Sequence, residues 1–505
     1  MKSIVWFIQA SAVLAQTNAP TGAPTVTRPC TCANIHGAIL SCAGQGLHSV
    51  PNFDEWPCPK AVKGLVYINF QRNELESLSF LGNDPTLYAG LQTMLLKNNR
   101  IESFDLDNFS LPNLFALNLE SNGMKNFKWE TFGAQAPKLQ HLFLEDNLLP
   151  GFQGPFNGIP GLRNIYLQNN RFLEFDSRIL SSLPSLVYID VGSNNISQIS
   201  NVEYAASISL ESIYLGTNEL TEFPAPFASI PSLKGLFLRD NLIENLDSMA
   251  GQNFSNLEDL DLGFNKLSNS SGMATANFDG LVGLNLEGNK LTEFPASLSS
   301  IPSLKRLYLR ENLIENLDSM VGLSFSNLIE LEIASNKLTN LNGMVSANLS
   351  GLEKLDVNDN EELHDVDILT AAELPSLSYF LVGNSTMIGC SCKGFKFFQR
   401  FVNSNENTCE LYTVKTDSWD ECDLSVVSKS CSPTTSPTPS PSASPTTSSP
   451  TILNEEQLST GAIAGIAVGG VAVVALGVGM AVFMSGKSAA TAGTSVTAKL
   501  DPTDV

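Results

Sequence analysis

Histidine is scarce in this chain of 505 residues, which has only His36, His48, His141 and His364. These four lie far apart in the sequence and show no metal-ligand spacing. The sequence also contains no phosphate-binding loop, no HExxH and no GxSxG. These absences argue against an enzyme, and we expect no catalytic residue, no metal and no other cofactor.

Basic residues are few, with 29 lysines and arginines against 51 aspartates and glutamates and a formal net charge of −22. A protein that binds nucleic acid neutralises phosphates with lysine and arginine. We therefore expect no nucleic-acid partner. The excess of negative charge suits a soluble, self-repelling extracellular domain.

Cysteine is absent from residues 59–389, although the chain has nine cysteines in all. The nine are Cys30, Cys32, Cys42 and Cys58 before the gap, and Cys390, Cys392, Cys409, Cys422 and Cys431 after it. In a secreted chain this distribution indicates two disulfide-stapled caps at the ends of a central array, and zinc sites are the weaker alternative. Five cysteines cannot all pair internally, so one, most simply Cys431, is free or joins two chains.

The gap is filled by thirteen copies of LxxLxLxxNxL at steps of 23 to 26 residues. The copies begin at Leu65, Leu91, Leu114, Leu139, Leu162, Leu186, Leu210, Leu233, Leu257, Leu281, Leu304, Leu328 and Leu352. A degraded fourteenth copy begins at Leu377 and has Ser385 in place of the asparagine. Repetition at this period predicts a solenoid in which each repeat buries its apolar edge against its neighbours.

The motif predicts a short strand in each repeat, because positions 1, 4 and 6 are apolar and the residues between them are not. We expect the asparagine at position 9 to bind backbone groups where the strand ends, which makes it part of the scaffold. A proline lies two residues before seven copies, at Pro112, Pro137, Pro160, Pro184, Pro231, Pro302 and Pro375. Proline closes off helical turns, so we expect irregular and 3₁₀ segments on the side opposite the strands.

These motifs resemble those of extracellular leucine-rich repeat proteins of the 23 to 24-residue class, over residues 30–431. The resemblance implies an α/β-type solenoid shaped as a horseshoe, with a parallel concave sheet. It also implies a cysteine-rich cap at each end, and in the first cap the pairs Cys30 with Cys42 and Cys32 with Cys58. The aromatic run after Cys390-Ser-Cys392 is similar to the second cap of such proteins.

The remaining segments predict a secreted, membrane-anchored chain. We expect a signal peptide at 1–15, a Thr/Pro/Ala-rich leader at 16–29, the first cap at 30–64, the solenoid at 65–387, the second cap at 388–431, a Ser/Thr/Pro-rich stalk at 432–460, a transmembrane helix at 461–484 and a cytoplasmic tail at 485–505. The stalk is either O-glycosylated or a plain linker. Charges on either side of the span predict an extracellular N-terminus.

Within the predicted span, Gly461, Gly465 and Gly469 recur every four residues. Small residues on one face of a membrane helix let a second helix approach closely. The spacing predicts a homodimer, although glycine and alanine are abundant enough here for the pattern to arise by chance.

Positions 3, 5 and 7 of each copy should point away from the core and form three columns on the sheet. Aromatic residues fill much of this face, at Phe143, Tyr166, Tyr188, Tyr214, Phe237 and Tyr308. A cluster of solvent-facing rings predicts a ligand-binding surface. The alternative is that they are ordinary strand residues that cover their neighbours.

Residues 210–280 and 281–351 are near copies of 71 residues each, and both contain NLIENLDSM. The pair indicates a duplication of three repeats. Because the array tolerates a change in length, a site in the part that was not duplicated, with Phe143, Tyr166 and Tyr188, is favoured.

Six N-x-[ST] sequons are candidate glycosylation sites, at Asn108, Asn195, Asn253, Asn269, Asn348 and Asn384. All but Asn384 fall between predicted strands, so glycans there would leave the concave sheet clear.

By resemblance, we expect a single-pass plasma-membrane glycoprotein whose concave face binds a protein or glycan ligand. Adhesion, or ligand sensing through a signalling co-receptor, is the favoured role. A structural wall or matrix glycoprotein and an inhibitor of secreted hydrolases are the alternatives.

Overall fold

The computed structural model describes residues 30–381, except 35–37, 51–63, 83–84, 105–108, 153–158, 202–208, 364–371 and 373. All of these residues belong to one compact unit, Thr25–Ser432. Cys58, the second cap, the predicted stalk and span with Gly461, Gly465 and Gly469, Asn108 and Asn384 lie outside the described residues. Within the described ranges, no helix is long and apolar enough to cross a membrane.

Short strands dominate the described chain, and almost every one has three residues. In chain order they are β1 Thr31–Asn34, β2 Ala38–Ser41, β3 Leu65–Asn69, β4 Thr93–Leu95, β5 Ser103–Phe104, β6 Ala116–Asn118, β7 Asn126–Phe127, β8 His141–Phe143, β9 Asn164–Tyr166, β10 Glu174–Asp176, β11 Tyr188–Asp190, β12 Gln198–Ser200, β13 Ser212–Tyr214, β14 Gly235–Phe237, β15 Asp259–Asp261, β16 Gly283–Asn285, β17 Arg306–Tyr308, β18 Glu330–Glu332, β19 Lys354–Asp356 and β20 Tyr379–Leu381.

Sixteen of these strands form one sheet, in the order β1-β2-β3-β4-β6-β8-β9-β11-β13-β14-β15-β16-β17-β18-β19-β20. Only β1 and β2 pair antiparallel, and every later pair is parallel. Each repeat adds one strand in constant register, so that Tyr188 lies beside Asn164 on one side and Ser212 on the other. The predicted parallel sheet and its columns are confirmed. We call the side that carries positions 3, 5 and 7 the open face.

The opposite side of the repeats is irregular, as predicted. It contains 3₁₀ turns at Ser79–Gly82, Ala225–Ser229, Asp247–Met249, Ser271–Thr275, Ala296–Ser300, Asp318–Met320 and Asn342–Val345, and short α-helices at Pro85–Tyr88, Trp129–Gln135 and Arg178–Ser182. Two small parallel pairs, β5 with β7 and β10 with β12, also lie outside the main sheet. A period of about 24 residues leaves no room for longer helices.

The core lies between the sheet and these turns and is filled by the apolar motif positions. Leu186, Ile189 and Val191 of one repeat are fully buried, and the same three positions are buried in the neighbouring repeats. Phenylalanines pack behind them on the far side, where the rings of Phe104 and Phe127 stack at 5.7 Å. Buried leucines and phenylalanines of the described repeats belong to one hydrophobic cluster, which supplies the driving force for stacking.

The asparagine at position 9 ties each repeat to the one before it. Asn241 is 4% exposed, and its Nδ2 donates to the carbonyls of Leu215 and Leu238, at 2.9 and 3.0 Å. Its Oδ1 accepts from the backbone N–H of Leu220 at 3.0 Å. Equivalent bonds recur from Asn73 to Asn360. The predicted scaffold role is confirmed.

Position 8, directly before the asparagine, has a left-handed backbone in every full repeat. Examples are Asn98 with φ of 57° and Asp240 with φ of 56°, and Phe264 adopts it as well with φ of 51°. This turn was missing from the sequence prediction. Asparagine, aspartate and serine are frequent at this position, and the first two tolerate the left-handed region better than most residues.

A disulfide joins Cys30 to Cys42, as the resemblance implied. Cys32 is also disulfide-bonded. The capping hairpin of β1 and β2 continues the main sheet, and the backbone N–H groups of Gln45 and Leu47 donate to Asn73 Oδ1. The first asparagine of the array thereby binds the cap as later ones bind the preceding repeat.

We expect Asn241→Ala to lower the free energy of unfolding by about 2–4 kcal/mol, because it leaves a buried N–H and two buried carbonyls without their partner. Urea unfolding followed by circular dichroism measures the change. Glu244→Ala, at an exposed position three residues further on, is the matched control. A loss for Asn241→Ala no larger than that of the control would contradict the scaffold role.

Candidate functional site

Five aromatic side chains from consecutive repeats stack into a continuous row on the open face, which we call the aromatic ladder. Its members are Phe143, Tyr166, Tyr188, Tyr214 and Phe237. Successive ring centroids lie 4.7, 5.1, 5.2 and 4.1 Å apart. The ring planes of the first and last pairs are nearly parallel, at 5° and 12°. The predicted rings therefore come together, except for Tyr308.

All five ladder rings are half-buried, because each covers part of the next. Offset stacking of this kind stabilises a ring pair beyond the area that it buries. Tyr308 lies three repeats beyond Phe237, and its hydroxyl is 3.3 Å from Glu330 Oε2. It is also half-buried but belongs to a charged part of the face.

Gly235 leaves room for the ring of Phe237, the last of the ladder. A Cβ on Gly235 would lie 2.8 Å from Cε2 of Phe237, on the same strand. Phe237 can therefore lie flat over position 3 of its own repeat and stack on Tyr214 only because that position has no side chain.

Asp190 occupies position 5 in the middle of the ladder, where its strand neighbours are Tyr166 and Tyr214. Tyr188 fills the gap that this small residue leaves and stacks on both. The Tyr188 hydroxyl lies 3.4 Å from Asp190 Oδ2, and the N–H of Gly192 donates to Oδ1 at 2.9 Å. Burial raises the pKa of all three tyrosines, and the negative charge of Asp190 adds to the shift of each.

A row of carboxyl and amide groups runs beside the ladder at position 7. Glu120 is paired with Lys97, and Glu145 lies next to Glu120. Burial raises the pKa of Glu145 to about 8, and the neighbouring Glu120 charge contributes. Glu145 Oε2 and Gln168 Oε1 are buried acceptors without a hydrogen-bond partner among the described residues.

Beyond the ladder, ion pairs that skip one repeat cover the open face. Arg306 Nη2 lies 3.1 Å from Asp259 Oδ1 across Gly283, and Arg239 Nη1 lies 3.1 Å from Glu287 Oε2 across Gly263. A Cβ on Gly283 would lie 2.5 Å from the Asp259 carboxylate. These pairs were missing from the sequence prediction. A glycine flanked by opposite charges in the same column was the available signal.

The duplicated blocks differ most on the open face. Across positions 3, 5 and 7 of their three repeats, eight of nine residue pairs differ and only Arg239 and Arg310 match. The changed pairs are Ser212 and Gly283, Tyr214 and Asn285, Gly216 and Glu287, Gly235 and Arg306, Phe237 and Tyr308, Asp259 and Glu330, Asp261 and Glu332, and Gly263 and Ala334. Outside these positions, 21 of the other 62 pairs differ, so change is concentrated on the open face.

Solvent exposure does not account for this concentration. Of the 23 exposed residues of the first block outside positions 3, 5 and 7, 12 are unchanged in the second, among them Thr221, Glu222, Glu244, Asn245, Asp247 and Ser248. The changed open-face residues are half-buried or buried. Substitution has therefore gone furthest where side chains contact each other across strands, which is where neutral change is harder to accommodate.

Four of the six sequons lie among the described residues, and all four asparagines are exposed. They are Asn195, Asn253, Asn269 and Asn348. None is on a strand of the main sheet, so glycans at these positions would project away from the open face. Within the described ranges, no cluster of histidine, cysteine and carboxylate side chains has the arrangement of a metal site.

The parallel sheet, the asparagine column and the stacked repeats form a leucine-rich repeat solenoid. The leucine rich repeat family matches residues 89–149, 160–220, 231–291 and 302–361. Rat lumican is 28% identical over 243 residues, which are 47% of this chain and 67% of lumican. Human Toll-like receptor 3 is 28% identical over 244 residues, 39% of this chain and 27% of the receptor. A leucine-rich repeat protein of Leptospira interrogans has the same fold, with a TM-score of 0.58 at 23% identity over 72% of this chain and 93% of that one.

We expect Glu145→Gln to stabilise the protein at pH 8 relative to the unmodified chain. In the unfolded chain Glu145 loses its proton near 4.5, whereas in the folded state it keeps the proton up to about 8. The free energy of unfolding of the unmodified protein therefore falls as the pH rises between these values, and glutamine removes that loss. The gain should be roughly 1–2 kcal/mol at pH 8 and close to zero at pH 4.5.

Thermal unfolding at pH 4.5, 6 and 8 measures this effect, and Glu222→Gln at an exposed position is the control. An equal gain at all three pH values would mean that glutamine packs better for reasons unrelated to titration.

Proposed function

We propose that this chain is an extracellular, membrane-anchored leucine-rich repeat glycoprotein that recognises a protein or glycan partner through the aromatic ladder on its open face. The divergence between the two duplicated blocks carries the proposal. Eight of the nine residue pairs at positions 3, 5 and 7 differ between the two blocks, against 21 of the other 62 pairs. A purely structural wall or matrix component would have no reason to change the open face more than the rest.

The ladder itself has the properties of a recognition surface. Rigid aromatic side chains offer a large contact area and lose little conformational entropy on binding. The rings of Phe143 and Phe237 end a row that spans five consecutive repeats. Internal ion pairs cross the remainder of the open face in repeats 8–13, so the ladder is the part of that face where rings lie in a continuous row.

The placement at the membrane rests on the sequence. Residues 1–15 direct secretion, 461–484 cross the plasma membrane once, and 485–505 are cytoplasmic in this proposal. Homodimerisation through Gly461, Gly465 and Gly469 and signalling through a co-receptor belong to it as well. Glycans on Asn195, Asn253, Asn269 and Asn348 would shield the sides of the solenoid.

The test compares the full chain with a ladder variant in which Phe143, Tyr166, Tyr214 and Phe237 are alanine. In the matched control, alanine replaces four exposed glutamates at equivalent positions of the two duplicated blocks, namely Glu222, Glu244, Glu293 and Glu315. Each protein is titrated against arrays of glycans and of secreted and surface proteins from the source organism. We expect at least one partner whose affinity falls more than tenfold in the ladder variant alone, because buried aromatic anchors dominate interface energetics.

Circular dichroism and thermal unfolding establish that the ladder variant keeps its fold. If every partner binds the ladder variant and the unmodified chain equally, recognition does not use the ladder and the structural alternative gains support.

A further inference from the structure

Asp190 is the one carboxylate inside the ladder, and its Oδ2 lies 3.4 Å from the Tyr188 hydroxyl. Its Oδ1 accepts the N–H of Gly192 at 2.9 Å. Asparagine makes the same bond at position 5 of other repeats, where Asn118 accepts from Glu120 at 3.0 Å and Asn285 accepts from Glu287 at 2.9 Å. A neutral residue would therefore hold the turn equally well.

Keeping a charge at this place is unfavourable for the free protein. Asp190 is half-buried among Tyr166, Tyr188 and Tyr214, and burial raises its pKa. A buried charge costs free energy unless it is paired. In this part of the described chain Lys97 pairs with Glu120, and further along Arg306 pairs with Asp259 and Arg239 with Glu287. No ion pair among the described residues includes Asp190.

The surroundings of Asp190 suit a cation. Tyr188 is tilted by 40° to both Tyr166 and Tyr214, and its ring centroid lies 5.1 and 5.2 Å from theirs. An ammonium or guanidinium group would neutralise the Asp190 carboxylate, and a hydrogen bond between two charged groups is stronger than one between neutral groups. Charge complementarity therefore selects the occupant.

We propose that Asp190 with Tyr166, Tyr188 and Tyr214 forms a seat for a lysine or arginine side chain of a protein partner. This inference rests on the proposed function and names the class of partner. The ladder continues beyond the seat by one ring at each end, Phe143 next to Tyr166 and Phe237 next to Tyr214. The cation therefore belongs to an extended segment whose neighbouring side chains cover these two rings. A neutral glycan would donate hydroxyl hydrogen bonds to the carboxylate but would not neutralise its charge.

The test measures binding of a hexalysine peptide to the full chain at 150 mM salt. The fully acetylated peptide has the same length without the charges and is the reference probe. The variants are Asp190→Asn and Tyr188→Leu. Their controls are Asp261→Asn, which removes a carboxylate with the same Gly263 N–H bond at 2.9 Å, and Tyr308→Leu, which removes a ring outside the ladder.

We expect hexalysine to bind the unmodified chain and the two controls alike, and to bind Asp190→Asn and Tyr188→Leu about tenfold more weakly. The acetylated peptide should bind none of them detectably. Because asparagine is native at this position elsewhere in the chain, Asp190→Asn should fold normally, and a thermal unfolding curve checks this.

Three results would overturn the proposal. The first is that hexalysine does not bind the unmodified chain up to millimolar concentration, and the second is that Asp190→Asn and Asp261→Asn change its affinity equally. The third is that the acetylated peptide binds the unmodified chain as tightly as hexalysine does. Each of these leaves the proposed function standing if the fourfold ladder variant still loses a partner from the arrays. If that variant loses none while hexalysine distinguishes Asp190→Asn, the cation seat exists and the broader proposal fails.

Discussion

The hydrogen bonds of the asparagine column determine how every other part of this structure is placed. Each amide joins the carbonyl of its own repeat to that of the preceding one and accepts an N–H from the loop beside it, as Asn170 does with Leu144, Leu167 and Leu149. The bonds hold successive strands in one register without a helix to space them. Constant register puts position 5 of one repeat beside position 5 of the next, and only then can rings and charges form columns.

The common register produces two kinds of surface. In the first half, large rings stack directly on their neighbours, and Asp190 is the exception that lets Tyr188 reach across. In the second half, glycines separate opposite charges, and arginines extend over them. Arg239 shows the combined effect, because it pairs with Glu287 and also lies 4.2 Å from the ring centroid of Phe264. The same scaffold thus carries an apolar surface and a self-neutralised one.

The period of the sequence was sufficient to predict the sheet, the buried leucines, the role of Asn241 and the columns that contain Phe143 and Tyr214. The pairing of Cys30 with Cys42 was implied by the resemblance of the cap and not by the period. The side-chain directions were not predictable in this way. Whether Phe237 lies flat depends on the missing side chain of Gly235, and whether Arg306 reaches Asp259 depends on Gly283. Both are contacts between residues that share a column or a strand, and the repeat pattern of a sequence does not specify the rotamers of such residues.

The ion pairs across Gly263 and Gly283 change how far a disturbance travels along the array. In a solenoid whose repeats touch only their neighbours, stability is a sum of single repeats and single interfaces. Pairs that link repeat 8 to repeat 10 and repeat 9 to repeat 11 add a second range of coupling. Opening repeat 8, 9, 10 or 11 therefore breaks an ion pair with a repeat two places away as well as the contacts with its neighbours. These four repeats should open together more readily than repeats that touch only their neighbours.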